Sequence, residues 1–160
     1  MIREFLPDDF ETLEKWVINK ELLLQFSGTD FSFPITEDQI ERYQKANPER
    51  VFYIGLDHNL KPYAFGEIIP QLNNVPRLAR ILIGEKSRRG MGLGQFFIKE
   101  LVQECIVRHD CKSIELFVWD QNDAAINCYN KVGFEYLPEK QMTITYDDKQ
   151  YDIYKMRLML

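Results

Sequence analysis

The chain has 160 residues, enough for one domain with a sizeable core, and its 45% hydrophobic and 13% aromatic content excludes a disordered polymer. A formal net charge of −5 argues against general nucleic-acid binding, and no apolar run approaches the length of a membrane span. Three cysteines, Cys105, Cys111 and Cys128, are odd in number and lack metal-ligand spacing, and Met1-Ile2-Arg3-Glu4 shows no signal-peptide pattern. Reduced thiols, no metal and a cytoplasmic location are expected.

In chain order, residues 2–5 alternate as a short strand. Pro7-Asp8-Asp9 opens a helix, with Asp8 and Glu11 spaced as a capping box and Phe10, Leu13, Trp16 and Val17 forming a core-facing stripe. After Ser27-Gly28 and Phe31-Ser32-Phe33-Pro34, a second helix starts from an N-cap at Thr36, with Gln39 three residues on. Residues 51–56 and 63–69 read as a hairpin turning through Asp57-His58-Asn59, and Asn73-Asn74 marks a loop. A strand at 78–83 runs into a glycine-rich turn and a helix over 95–109, followed by a buried strand at 113–118. Asn122 suits the N-cap of a short helix that Gly133 terminates, and residues 134–145 and 150–158 form a last hairpin turning at Asp147-Asp148-Lys149. The strand–helix–strand unit predicts a parallel or splayed central pair, and the hairpins predict antiparallel partners. The class is α/β (α+β, mixed sheet), in a single domain over residues 1–160.

The most informative segment is Arg88-Arg89-Gly90-Met91-Gly92-Leu93-Gly94. Its glycines bare peptide N–H groups, a helix N-terminus follows, and Lys86 stands nearby, a combination suited to polyphosphate. The dinucleotide spacing G-x-G-x-x-G fails at Gln95, and the nucleotide-triphosphate loop fails because Gly94 is followed by Gln95-Phe96. What remains is Arg89-x-x-Gly92-x-Gly94, which a plain flexible turn would also satisfy.

Downstream lies Val118-x-x-x-Asn122-x-x-Ala125-x-x-x-Tyr129-x-x-x-Gly133-Phe134. Together the two segments resemble the Gcn5-related N-acetyltransferase (GNAT) family, which moves acetyl from acetyl-coenzyme A (acetyl-CoA) to an amine. The resemblance is strong over residues 77–137. It implies an acyl-CoA N-acyltransferase fold, with a mostly antiparallel mixed sheet, splayed central strands and helices on both faces. It also implies acetyl-CoA as cosubstrate, its diphosphate on the amides of Arg89, Gly90, Met91, Gly92, Leu93 and Gly94, next to Gln95, with charge from Arg88, Arg89 or Lys86. The pantetheine arm would add to the strand before the loop, near the amides of Leu82, Ile83 and Gly84. Asn122 would bond the pantetheine amide as well as cap its helix, and Tyr129 would protonate the leaving thiolate.

For the general base the resemblance suggests Glu67, acting directly or through water; the same residue reads equally as a strand-end charge in solvent. Glu85 is the alternative, and neither His58 nor His109 has a partner pattern. Residues 16–43 would line the acceptor side, where Phe26, Phe31 and Phe33 with Asp30, Glu37 and Asp38 make an aromatic and acidic wall fitting a cationic amine. The phenylalanines also read as core, and the helix acids as partners of the helix dipole. A small amine or a peptide N-terminus is the expected partner, with no nucleic acid and no membrane; exposed C-terminal strand edges leave room for a homodimer. The other reading is a catalytically silent CoA-binding sensor of the same fold.

Overall fold

The computed structural model describes residues 1–85 and 90–160. Apolar alternation builds seven strands: β1 (Ile2–Glu4), β2 (Val51–Leu56), β3 (Pro62–Ile69), β4 (Arg77–Ile83), β5 (Ser113–Trp119), β6 (Glu135–Tyr146) and β7 (Lys149–Met159). They form one sheet in the order β1-β2-β3-β4-β5-β7-β6, antiparallel at every junction except β4–β5, which is parallel. The crossover between β4 and β5 is the helix α4 (Leu93–His109), as the strand–helix–strand pattern predicts.

Helices cover both faces. On one, α1 (Phe10–Trp16), α2 (Lys20–Ser27) and α3 (Glu37–Ala46) bury Leu13, Trp16, Leu23 and Ile40 against Phe52, Ile54, Phe65 and Leu82. On the other, α4 and α5 (Asp123–Val132) bury Phe97, Ile98, Leu101 and Tyr129 against Tyr53, Leu78, Ile114 and Leu116. The ring of Phe97 fills the space left by two strand glycines: a Cβ on Gly55 or Gly66 would stand 2.9 Å from it. Among the described residues, no helix is long and apolar enough to cross a membrane.

Local chemistry sets most element ends where the sequence puts them. Asn122 caps α5 by accepting from Ala125 N–H at 3.2 Å, and Gly133 ends it at φ 109°, with the Gly133 and Phe134 N–H groups both returning to the Tyr129 carbonyl. The last hairpin turns on Asp147 and Asp148 at φ 49° and 59°, a two-residue turn whose hand matches the strand twist.

Three details differ from the sequence reading. A 3₁₀ turn at Pro7–Asp9 precedes α1, and Asp9, not Asp8, organises it by accepting from Leu6 N–H and binding Arg3. Gln39 reaches back from α3 to Ser32 and Pro34, while Thr36 caps the helix alone. The helix α2, capped by Asn19 on Leu22 N–H at 2.8 Å, is absent from the reading above.

The two central strands stay paired only at Arg77–Glu115 and Leu78–Leu116, and beyond that point they diverge. The antiparallel side of β4 is also irregular: Phe65 faces Leu82 and Glu67 faces Ala79, so Arg80 and Ile81 together oppose Gly66. This is a β-bulge, with Arg80 in the left-handed region at φ 51°.

Candidate active site

The bulge decides what faces the α1–α3 side. Strand alternation from Leu78, buried on the α4 side, places Arg77 and Ala79 on the opposite face. Arg80 would then return to the α4 side, but the extra residue keeps it on the face of Ala79, and Leu82 follows there against Phe65. Arg80 is buried in a charged network. Its guanidinium binds Glu67 and Asp30 and lies over the rings of Tyr43 (4.4 Å) and Phe31 (5.4 Å). Tyr43 donates to the other Glu67 oxygen at 2.8 Å and accepts from Arg50 at 2.6 Å.

Glu67 is 0% exposed, which removes the reading of a strand-end charge in solvent. Burial raises its carboxyl above the ordinary glutamate range, and Arg80 and the Tyr43 hydroxyl offset part of that rise. Both its oxygens are occupied within this network.

A cleft of about 900 Å³ opens between the diverging strands. One wall is α2 with residues 28–30, and the other is formed by β5 and α5. At its mouth is the N-terminus of α4. Gly90 (φ 80°) and Gly92 (φ 82°) take left-handed conformations that a side chain rarely adopts, and Gly92 is the N-cap. Phe96 N–H makes the first bond back, to Gly92, so the N–H groups of Leu93, Gly94 and Gln95 have no acceptor inside the helix. With the positive end of a 17-residue helix, they form a seat for an anion. Met91 is exposed beside them. Gly94 serves packing: its Cβ would stand 3.1 Å from Cys128 Sγ of α5. Lys86, Arg88 and Arg89 lie outside the described residues.

Among the β4 amides, Gly84 N–H donates to the Tyr63 carbonyl of the neighbouring strand at 2.9 Å, so it is turned from the cleft. Successive amides of a strand face opposite edges, which points Ile83 N–H away from β3 and Leu82 N–H toward it. Gly84 is small for Trp16: a Cβ there would meet the indole at 2.1 Å. Of the three expected amides, Ile83 alone has the orientation the pantetheine role needs.

Asn122 and Tyr129 both line the cleft. Burial raises the Tyr129 phenol well above its ordinary value, so it holds its proton at neutral pH. Of the expected acceptor-side aromatics, Phe26 lines the cleft, Phe31 sits behind it under Arg80, and Phe33 is outside it at 37% exposure. The acidic wall does not form: Glu37 and Asp38 lie in the exposed first turn of α3, Asp38 paired with Arg42, and Asp30 is bound to Arg80. Glu85 is exposed. Sequence reasoning passed over Tyr43, Arg50, Arg77 and Arg80. The available signal was two arginines inside an otherwise apolar strand, Arg77-Leu78-Ala79-Arg80-Ile81-Leu82.

Comparison with known proteins agrees with this architecture. The crystal structure of spermidine N-acetyltransferase from Vibrio cholerae in complex with CoA and spermine superposes with a TM-score of 0.83 at 14% identity, over 99% of this chain and 94% of the other. Aminoglycoside acetyltransferase AAC(6')-Ib in complex with coenzyme A gives a TM-score of 0.74 at 21% identity, over 99% and 94%. A probable spermine N(1)-acetyltransferase of Bacillus subtilis subsp. natto is 27% identical over 93 residues, a stretch that is 56% of this chain and 59% of that protein. A model of the acetyltransferase (GNAT) family matches residues 16–134, and the chain therefore belongs to that family.

Proposed function

We propose that the chain is an N-acetyltransferase that uses acetyl-CoA to acetylate an amine held between α2 and the arginine-bearing face of β4, by direct transfer in a ternary complex. The observation that carries this reading is the cleft itself. It joins a helix N-terminus, three of whose N–H groups have no acceptor among the described residues, to a buried tyrosine, through a gap between two strands that separate after two paired residues. The residues present fit a diphosphate-bearing thioester carrier, and the relatives named above, which act on amines or hold CoA, support it.

When bound, acetyl-CoA supplies an acyl group already activated as a thioester. The N–H groups of Leu93, Gly94 and Gln95 hold its diphosphate, with the turn of Gly90, Met91 and Gly92 and the charges of Arg88 and Arg89. Each charge-assisted bond contributes about 1.5–3 kcal/mol. Ile83 and Asn122 orient the pantetheine, while Leu82 and Gly84 shape the strand behind it. Tyr129 keeps a proton at Oη and delivers it to the departing sulfur. The acceptor nitrogen forms the new C–N bond as the C–S bond breaks. Its surplus proton passes through water to the Glu67–Tyr43–Arg80 network, where Glu67, behind the cleft lining and with its raised carboxyl, is the final acceptor and never touches the amine. Phe26 lines the acceptor side, and Phe31 and Phe33 flank it from outside the cleft.

Free-thiol release from acetyl-CoA across a panel of amines tests the reading. Tyr129→Phe is expected to lower kcat about ten- to a thousandfold while CoA affinity, measured by calorimetry, stays within about threefold. An unaltered kcat removes Tyr129 as the acid. Tight CoA binding with no thiol released for any amine would point instead to a catalytically silent CoA-binding module.

A further inference from the structure

The acceptor side of the cleft has an unexpected charge. Among the described residues, that side of the lining holds three cations, Arg50, Arg77 and Arg80, and one carboxylate, Asp30. This runs against a chain of net charge −5. Arg80 has carboxylate partners in Glu67 and Asp30, and Arg50 lies 3.5 Å from Glu49 and donates to Tyr43, although the Nε of each is buried without a hydrogen bond. Arg77 differs. Its guanidinium lies 4.5 Å over the Phe117 ring, its Nε too is buried without a hydrogen bond, and, unlike the other two, it pairs with no carboxylate among the described residues. The carboxylate in register with it, Glu115, lies on the same face of the sheet but is bound by Lys155 at 3.0 Å and by Arg157 at 2.5 Å. Burial lowers the Arg77 pKa, and the attraction of Glu67, which is bonded to Tyr43 and Arg80, offsets only part of that fall.

Position separates this cation from the carrier's diphosphate. Arg77 is the first of seven residues in β4, so it stands about 20 Å from the strand end that leads to the glycine turn. It sits at the closed end of the fork, where β4 and β5 part.

We propose that the acceptor carries an anionic group, a carboxylate or a phosphate ester, besides its amine, and that Arg77 binds that group and sets acceptor specificity. The inference rests on the N-acetyltransferase reading and deepens it. A polyamine would find Asp30, Glu49 and Glu67 already held by Arg80 and Arg50, whereas an amino acid, an acidic peptide or an aminoalkyl phosphate supplies the carboxylate or phosphate that Arg77 lacks.

The test compares amines that differ only in the anion: lysine against cadaverine, β-alanine against propylamine, and phosphoethanolamine against ethanolamine. The wild type is expected to show the higher kcat/KM for the anionic member of at least one pair. In Arg77→Gln that preference falls about ten- to hundredfold, through KM rather than kcat, and Arg77→Lys restores part of it. Calorimetry of lysine and phosphoethanolamine on the CoA-loaded protein reads the same site without turnover, and urea melts establish that both variants are folded. A wild type that prefers cadaverine, propylamine and ethanolamine, or a preference unchanged in Arg77→Gln, overturns the anionic acceptor but leaves the acetyltransferase reading intact. If no amine releases thiol, the acetyltransferase reading fails; if in addition neither anionic probe binds, this proposal falls with it.

Discussion

Gly94 has two competing explanations, and one substitution series separates them. Its place in the glycine turn suggests that it is small to admit phosphate. In the structure, a Cβ there would stand 3.1 Å from Cys128 Sγ and 3.8 Å from Ile83 Cγ1. The first contact is about half an ångström inside an ordinary separation of 3.5–4.0 Å, and such overpacking costs about 1–3 kcal/mol. Alanine returns up to about 1 kcal/mol through helix propensity, so Gly94→Ala should lose as much as about 2–3 kcal/mol. Removing the sulfur with Cys128→Ala takes away the clash. In that background Gly94→Ala should be neutral or stabilising by up to about 1 kcal/mol, and the cycle should show a coupling of at least about 1 kcal/mol. Urea denaturation of the four proteins gives the number; equal cost in both backgrounds would refute packing as the reason. The peptide N–H survives in alanine, so the double variant should bind CoA within about threefold of wild type. A tenfold loss there would return the glycine to the ligand.

Gly84→Ala places a methyl 2.1 Å from the indole of Trp16, which is 7% exposed within the α1–α3 core, and should cost about 3 kcal/mol with a shifted tryptophan emission; normal stability would contradict that packing. Asp9, held by Arg3 and Leu6 N–H, has its carboxyl below the ordinary range, so its stabilisation is complete above about pH 4 and disappears as pH falls through the lower folded value. Asp9→Asn should therefore destabilise by about 1–3 kcal/mol at pH 7, a gap that closes in acid; a pH-independent gap would refute the ion pair. Glu67→Gln should flatten the acid limb of the pH–rate profile, because the wild-type base works only once ionised, and an identical profile would exclude Glu67 as base. The raised carboxyl also predicts wild-type stability that is complete below the ordinary glutamate range and declines as pH rises through the folded value; urea melts of the glutamine variant should lack that decline.

What the sequence made legible was what local chemistry decides. The Asn122 cap, the Gly133 stop, the turn ahead of α4 and the helical crossover between parallel strands each follow from a few neighbouring residues, and each is found in the structure. Contacts made at a distance were not legible. Gly84 reads as a close approach to a ligand, yet its neighbour is Trp16 from another layer. Asp30 reads as part of an acidic wall, but Arg80 neutralises it, and Phe33 carries the same aromatic signal as Phe26 yet lies outside the cleft. The helix α2 was overlooked although Asn19 and Gly28 bracket it in good capping positions, because the hydrophobic run of Leu22, Leu23 and Leu24 shows little helical periodicity.

The bulge is the hardest feature to read and the one with the widest consequences. A period-two reading of β4 sends residue 80 to the α4 side, among Leu78 and Phe97, where a guanidinium would be buried without a partner. Opposing Arg80 and Ile81 to Gly66 avoids that outcome, at a cost of roughly 1–2 kcal/mol for a non-glycine residue in the left-handed region. The Glu67–Arg80 pair thereby gained is a weak argument for stability, since apolar side chains of similar size often serve a core as well or better. Folding alone therefore does not account for a strained arginine at this position. Its place does: Arg80 lies two residues beyond the last paired position of β4 and β5 and lines the cleft that opens there, so the irregularity turns charge toward the α1–α3 side where the cleft proposed for the acceptor begins.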